Sequence, residues 1–100
     1  MTLDINAILK ALAHPVRREI LTCLREPEKH FADQELPLEH GVCAGKLEAR
    51  CGLSQSTVSA HLATLQRTGL LTSKRIGQWV FFKRNEPLIQ AFVDYMTHAL

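Results

Sequence analysis

The stretch that most restricts how this chain can fold is AGKLEARCGLSQSTVSAHLATL, residues 44 to 65. Leu47 and Cys51 stand four apart, on one face of a helix, and Gly52 follows where a helix stop needs a residue tolerant of positive φ. Ser54 then serves as N-cap, its hydroxyl able to accept from the backbone N–H of Ser56 or Thr57, while Leu53 and Val58 form a hydrophobic staple. Two helices joined by so short a turn make a helix-turn-helix, with the second helix starting at Gln55. At about 100° per residue, Val58, Leu62 and Leu65 gather on one face of that helix. Ser56, Ala60, Ala63 and Arg67 point the opposite way, flanked by Thr57, Ser59 and Thr64. Small and hydroxyl side chains on an outward face let the backbone approach base edges, with Ser, Gln and His supplying donors and acceptors. Residue by residue, a plain solvated face would read the same; the combination points to DNA.

Charge is sorted along the chain in a way that agrees. Residues 1 to 50 hold seven Lys/Arg against eight Asp/Glu, and residues 51 to 100 hold five against two. Between Ala49 and Asn85 lie Arg50, Arg67, Lys74, Arg75, Lys83 and Arg84 and no acid, the pattern of a surface that meets phosphate. No apolar run approaches the roughly 18 residues of a membrane span. The amino terminus lacks the basic-then-apolar layout of a secretory signal, so a cytoplasmic protein with no membrane partner is expected. Three cysteines at irregular spacing make no disulfide framework and are expected to be thiols.

Leu3, Ile5, Ile8, Leu9 and Leu12 follow a helical period that should end near Ala13, and Pro15 starts a second helix. There Val16, Ile20, Cys23 and Leu24 form the inward stripe, with Arg17, Arg18 and Arg25 outside. From Glu26 to Glu39 five acids face the single Lys29 between Pro27 and Pro37, which reads as a long acidic loop reaching residue 42. After Gly69, the run TSKRIGQWVFFKR gives two strands pivoting on Gly77 and Gln78, a hairpin wing. Trp79 and Phe81 lie on one face and Val80 and Phe82 on the other, so at least one pair should pack on the core; Lys74, Arg75 and Gln78 sit toward the tip. From Glu86 and Pro87 a last helix carries Leu88, Ile89, Phe92, Tyr95, Met96 and Leu100 over more than one face, an excess that calls for a partner subunit. The expected fold is thus mostly α with a small β-hairpin wing, one winged helix-turn-helix domain over residues 1–100. Its parts are dimerisation helices at 1–13 and 86–100, the loop at 26–42, the helix-turn-helix at 44–68 and the wing at 70–84.

Three segments, ALAHPVRREILTCL at 11 to 24, GLSQSTVSAHLATLQRTGLL at 52 to 71 and KRIGQWVFF at 74 to 82, resemble the ArsR/SmtB family of bacterial winged-helix repressors. The resemblance implies a homodimer joined through the first and last helices, bound to a two-fold operator on double-stranded DNA and released by a signal. It implies that Gln55, Ser56 and Ser59 touch DNA, with Lys74 and Arg75 on phosphate. Helix face and resemblance together give the candidate contacts Gln55, Ser56, Thr57, Ser59, Ala60, His61 and Arg67 from the helix, and Lys74, Arg75 and Gln78 from the wing. The family's metal sites do not carry over. Cys43, Ala44 and Gly45 stand where its arsenic and cadmium sensors have Cys-Val-Cys; Glu86, Leu88 and Ala99 stand where its zinc sensors place Asp and His, with His98 off by one. No resident metal or cofactor is expected.

Three other classes compete. Cys23, His30, His40 and Cys43 are four suitable zinc ligands, without a compact ligand pair among them, and would make a metal-responsive regulator. An enzyme could draw on a Cys nucleophile with a His base, but the chain shows no phosphate-cradling loop and no carboxylate pair, and nothing in it supports a substrate pocket. A winged helix that binds protein instead of DNA would tolerate acids on its outward face, where this chain has none. For the signal, Cys43 is the candidate sensor thiol, since unpaired N–H groups at a helix entrance favour thiolate while Cys23 and Cys51 sit in apolar stripes. The alternative is three inert thiols, with an organic inducer or none at all.

Overall fold

A computed structural model of the protein describes residues 2–100. Its helices are α1 (Ile5–Leu12), α2 (Pro15–Arg25), α3 (Pro27–His30), α4 (Ala44–Cys51), α5 (Gln55–Arg67) and α6 (Glu86–Ala99). Its strands are β1 (Val42–Cys43), β2 (Leu71–Ile76) and β3 (Trp79–Arg84). Helix ends follow side-chain chemistry. Asp4 accepts from the Ala7 N–H at 3.1 Å to start α1, and His14 Nδ1 accepts from the Val16 N–H at 3.2 Å with Pro15 in the first position of α2. Ser54 Oγ accepts from the Thr57 N–H at 3.2 Å to start α5, and α4 stops on Gly52 in the left-handed region at φ 65°.

Val58, Leu62 and Leu65 of α5 are buried as a stripe among Ile8 and Ala11 of α1, Ile20, Leu21, Cys23 and Leu24 of α2, and Leu47 of α4. The inward face of α2 is therefore wider than Val16, Ile20, Cys23 and Leu24, since Leu21 joins it and Val16 is only half-buried. Arg17 is not simply outside. Its guanidinium donates to the Ala11 carbonyl at 3.3 Å and to His61 Nδ1 at 3.2 Å.

The sheet is antiparallel in the order β1-β3-β2. Val42 pairs with Phe82 and Cys43 with Phe81, while Leu71 to Ile76 pair with Arg84 to Trp79 in order. Directly opposed residues share a face, so Val42, Leu71, Ser73, Arg75, Val80 and Phe82 look toward the helices, and Cys43, Lys74, Ile76, Trp79 and Phe81 look away. The Val80 and Phe82 pair packs on the core, as expected of one pair. Phe81, on the other face, is buried as well, with the His40 ring 5.9 Å from its own.

That second covering comes from the segment expected to be a plain acidic loop, and here the reading needs correcting. Residues 26–42 hold the one-turn helix α3, a 3-10 turn at Leu38–His40 and the first residue of β1. Phe31 is buried in the core as an anchor. The Gln34 amide donates to the carbonyls of Leu36 (3.0 Å) and Gly41 (3.1 Å), and its oxygen accepts from the Cys43 N–H at 2.9 Å. Five acids concealed the few apolar positions, Phe31, Leu38 and Val42, that tie the segment down.

Two glycines separate backbone strain from crowding. Gly41 enters β1 at φ 110° and ψ −169°, a region open essentially to glycine alone, and a Cβ there would lie 2.6 Å from the Phe82 carbonyl oxygen. At Gly52 nothing lies within 4 Å of the added atom and only the positive φ opposes it. Gly52→Ala should therefore cost about 1–2 kcal/mol, and Gly41→Ala about 3 kcal/mol or more, because immovable backbone adds overpacking to strain. Urea unfolding of the two variants checks this; equal losses would mean that β1 yields without cost.

Candidate nucleic-acid interface

The outward face of α5 is as bare as its periodicity predicts. Gln55, Ser56, Thr57, Ser59, Ala60, Ala63 and Arg67 are exposed and Thr64 is half-buried, its hydroxyl donating to the Ala60 carbonyl at 3.1 Å. The Thr57 hydroxyl accepts from Ser54 Oγ at 2.8 Å, so it belongs partly to the cap. Arg67 reaches back to Thr64 Oγ1 at 3.3 Å. No acid occurs anywhere in α5, which leaves its positive N-terminal end and its donors uncancelled.

His61 departs from that face. It is half-buried against the α1–α2 junction, its Nδ1 accepting from Arg17 Nε and its ring 4.4 Å from that of His14. Burial, then the neighbouring His14 and Arg17, push its pKa below the usual histidine value. His61 therefore stands as a neutral acceptor between helices at neutral pH.

The basic run divides more sharply than its spacing implied. Arg50 donates to Cys23 Sγ and approaches His30 Nδ1, both at 3.4 Å, with Glu19 at 3.9 Å. Lys83 donates to the Glu39 carbonyl at 2.7 Å. Arg84 donates to the Leu21 carbonyl at 3.1 Å and to Glu86 Oε1 at 3.1 Å, and its Nε lies 3.0 Å from Glu86 Oε2, paired in charge though not aligned for a hydrogen bond. These three cations hold the framework, which leaves Arg67, Lys74 and Arg75 facing solvent. An interval without acids does not keep its cations from carbonyls or from acids outside it.

Lys74, Arg75 and Gln78 are all exposed near the wing turn, yet the register sets Lys74 and Arg75 on opposite faces of the sheet. Arg75 looks toward the helices, with its Nε on the Gly77 carbonyl at 3.2 Å. Ser73 lies on the same face and accepts from Gln66 Nε2 at 2.8 Å, a strut from α5 to the wing that the sequence reading missed. Counting the alternation forward from Leu71 puts Ser73 on that face, though not its partner.

Among the described residues no three His, Cys, Asp or Glu side chains converge as a metal site would require. Cys23 and His30 both meet the Arg50 guanidinium, and the His40 ring lies tilted beside Phe81. Cys23 is buried and Cys51 half-buried, and burial is the largest effect pushing both thiols up. Cys43 occupies the N-cap place of α4 with extended backbone, but its thiol makes no capping hydrogen bond. The helix-entrance argument for a thiolate therefore finds no contact to support it.

The apolar excess of α6 splits in two. Leu88 is buried and Ile89 and Phe92 pack on the core, whereas Val93 and Tyr95 are each 48% exposed and Leu100 is almost wholly so. Leu9 of α1 is exposed too.

Comparison with known proteins decides what carries this geometry. Residues 40–73, which hold α4 and α5, match the family model described as "Bacterial regulatory protein, arsR family". An uncharacterized HTH-type transcriptional regulator of Bacillus subtilis, YbzH, is 36% identical over 89% of this chain and 91% of its own length. The chain belongs to the arsR family. It is a DNA-binding transcriptional regulator. The transcriptional activator HlyU of Vibrio cholerae is 32% identical over 93% of this chain and 73% of its own. The solved structure of HlyU superposes with a TM-score of 0.65 at 30% identity, covering 93% of this chain and 87% of that one. A homodimeric winged helix-turn-helix DNA-binding domain from Mycobacterium bovis shares the fold at 24% identity and TM-score 0.65, over 95% and 77% of the two chains. Within this arsR-family chain α4 and α5 are the helix-turn-helix and β2 and β3 the wing.

The lowered pKa of His61 has a signed consequence for stability. Above the unfolded value of about 6.5 both states are neutral; as pH falls through it, the unfolded chain takes a proton that folded His61 resists, so stability is lost until folded His61 titrates too. Wild type should therefore lose more stability between about pH 7.5 and about pH 5.5 than His61→Gln does. Urea melts at the two pH values measure it, and parallel losses would show that His61 is not desolvated.

Proposed function

We propose that this arsR-family regulator acts as a homodimer in the bacterial cytoplasm. It occupies a two-fold operator on double-stranded DNA, represses where that site overlaps a promoter, and leaves when a signal arrives. It works by binding and turns over no substrate. The observation that carries the reading is the acid-free outward face of α5, joined by the Gln66–Ser73 bond to a wing with Arg75 on the same side. Gln55, Ser56, Ser59 and Ala60 meet base edges in the major groove, with Thr57 beside them. Arg67, Lys74, Arg75 and Gln78 meet the backbone, Lys74 from the far face of the wing. His61 contributes by position, holding α5 against α2.

Dimerisation follows from Leu9, Val93, Tyr95 and Leu100, large apolar side chains left in solvent on the two terminal helices. The resulting pair of recognition helices would enter successive major grooves about 34 Å apart.

Helix and wing should respond differently to mutation. Arg75→Ala should weaken binding to every duplex and flatten the slope of log affinity against log salt by about one unit, since one fewer phosphate contact releases one fewer counterion. Ser56→Ala should instead change which sequence is preferred. Fluorescence anisotropy on the duplex upstream of the gene, over a salt series, reads both; an unaltered slope for Arg75→Ala removes the wing from the interface. Val93→Glu, by placing a charge in the proposed dimer face, should give a monomer by light scattering and lose the operator. A wild-type chain that scatters as 11.3 kDa at micromolar concentration, with and without DNA, would end the dimer reading.

A further inference from the structure

Away from the terminal helices, the exposed large apolar side chains are Leu36, Leu53, Ile76 and Trp79, with Ile76 directly opposite Trp79 in the wing. Leu36, 37% exposed, and Trp79, 47% exposed, line a single recess of about 350 Å3 together with Glu35, Cys43 and the Asp33–Lys46 pair. A second recess, of about 310 Å3, shares Cys43 and Trp79 with the first and runs on to Gly45, Glu48, Gln55 and Gln78. Volumes of this order suit a small ligand.

The walls are set before any ligand arrives. Gln34 fixes its loop through three hydrogen bonds, and Lys46 Nζ joins Asp33 to α4 at 3.0 Å. That contact holds the Asp33 carboxyl below its ordinary pKa, so the pair stays ionised. Asp33 and Glu35 share the first recess with one ammonium, Lys46, which Asp33 already engages, and Glu48 is the one charged side chain that lines the second. Among the described residues Glu35 and Glu48 form no ion pair. Taken across the two recesses, the Trp79 indole, the apolar Leu36 and the unpaired carboxylates of Glu35 and Glu48 are complementary to a cation on an aromatic body and repel an anion.

We propose that these two adjoining recesses together bind a small aromatic cation and that its occupancy weakens DNA binding. The coupling rests on the operator reading above. Gln55 opens the recognition helix and Gln78 sits in the wing turn, and both line the second recess. An occupant against Trp79 sets the spacing between two elements that must touch DNA together.

The chain holds one tryptophan, so its indole N–H gives a single resonance that reports Trp79 alone. N-methylquinolinium should shift that resonance saturably and bind at least about tenfold more tightly than quinoline, its neutral counterpart near pH 7.5. The double variant Glu35→Gln, Glu48→Gln should bring the two ligands close to equal affinity. A Cβ at Gly45 meets only Cys43 Sγ, at 3.9 Å, so Gly45→Met fills the second recess without strain and should abolish the shift while far-UV circular dichroism stays as in wild type. An unmoved indole resonance in wild type, or equal affinity for quinoline and the cation, overturns the site. Anisotropy on the upstream duplex completes the test. The cation should release wild type but not Gly45→Met, and binding without release overturns the effector role. Failure of the cation-free protein to bind any duplex would count against the operator reading instead, since the resonance shift needs no DNA.

Discussion

The structure depends on one helix having to be two things at once. α5 must bury Val58, Leu62 and Leu65 so completely that it cannot shift, and must leave the opposite face without bulk or negative charge. Each buried side chain contributes ~1.5–3 kcal/mol relative to exposure, so the stripe outweighs the modest helix preference of a segment rich in Ser and Thr. Because the outward residues contribute almost nothing to that packing, they can be chosen for what they touch. Stability is thereby confined to one face of thirteen residues, and the other face is free for the recognition proposed for it.

A wing needs similar support, since an isolated two-stranded hairpin is marginal in water. Here β3 is the middle strand, paired with β2 on one edge and with the two residues of β1 on the other. Phe82 then faces the helical core, and Phe81 faces the segment that Phe31 and Gln34 hold in place. The base of the wing is gripped from both sides at Leu71, Phe81 and Phe82, while residues 72–79 stand in solvent. The acidic segment thus has a mechanical use that its composition did not reveal.

Legibility in the sequence followed the range of the forces involved. Helix limits were readable because caps are local: Ser54, Gly52 and Pro15 act within one turn of themselves. The buried stripe of α5 and the hairpin pivot were readable because period and turn chemistry repeat along the chain. The strand at Val42 was not, since two residues carry no period and its partner Phe82 lies forty positions away. Side-chain partners were equally hidden. Nothing near Arg50, Lys83 or Arg84 in sequence shows that Cys23, Glu39 and Leu21 will receive them. His61 looked like part of the outward face because periodicity places it on a flank, and only the crossing of α2 over α5 turns that flank inward.

That crossing also explains how distant ends of the molecule are held as one body. α1 ends with carbonyls that have no helical partner, and α2 supplies two arginines to them: Arg17 to Ala11 at 3.3 Å and Arg18 to Leu12 at 2.6 Å. Arg17 divides its guanidinium, sending Nε to His61 on α5. A single planar cation therefore spans the end of α1 and the flank of the recognition helix, using two different nitrogens held in a fixed fork that lysine lacks. Since His61 accepts only when neutral, the same burial that lowers its pKa keeps the link made at neutral pH. The position of the recognition helix is thus tied to the helix that carries Leu9, so any partner seated on the terminal helices inherits a defined distance to DNA rather than a flexible one.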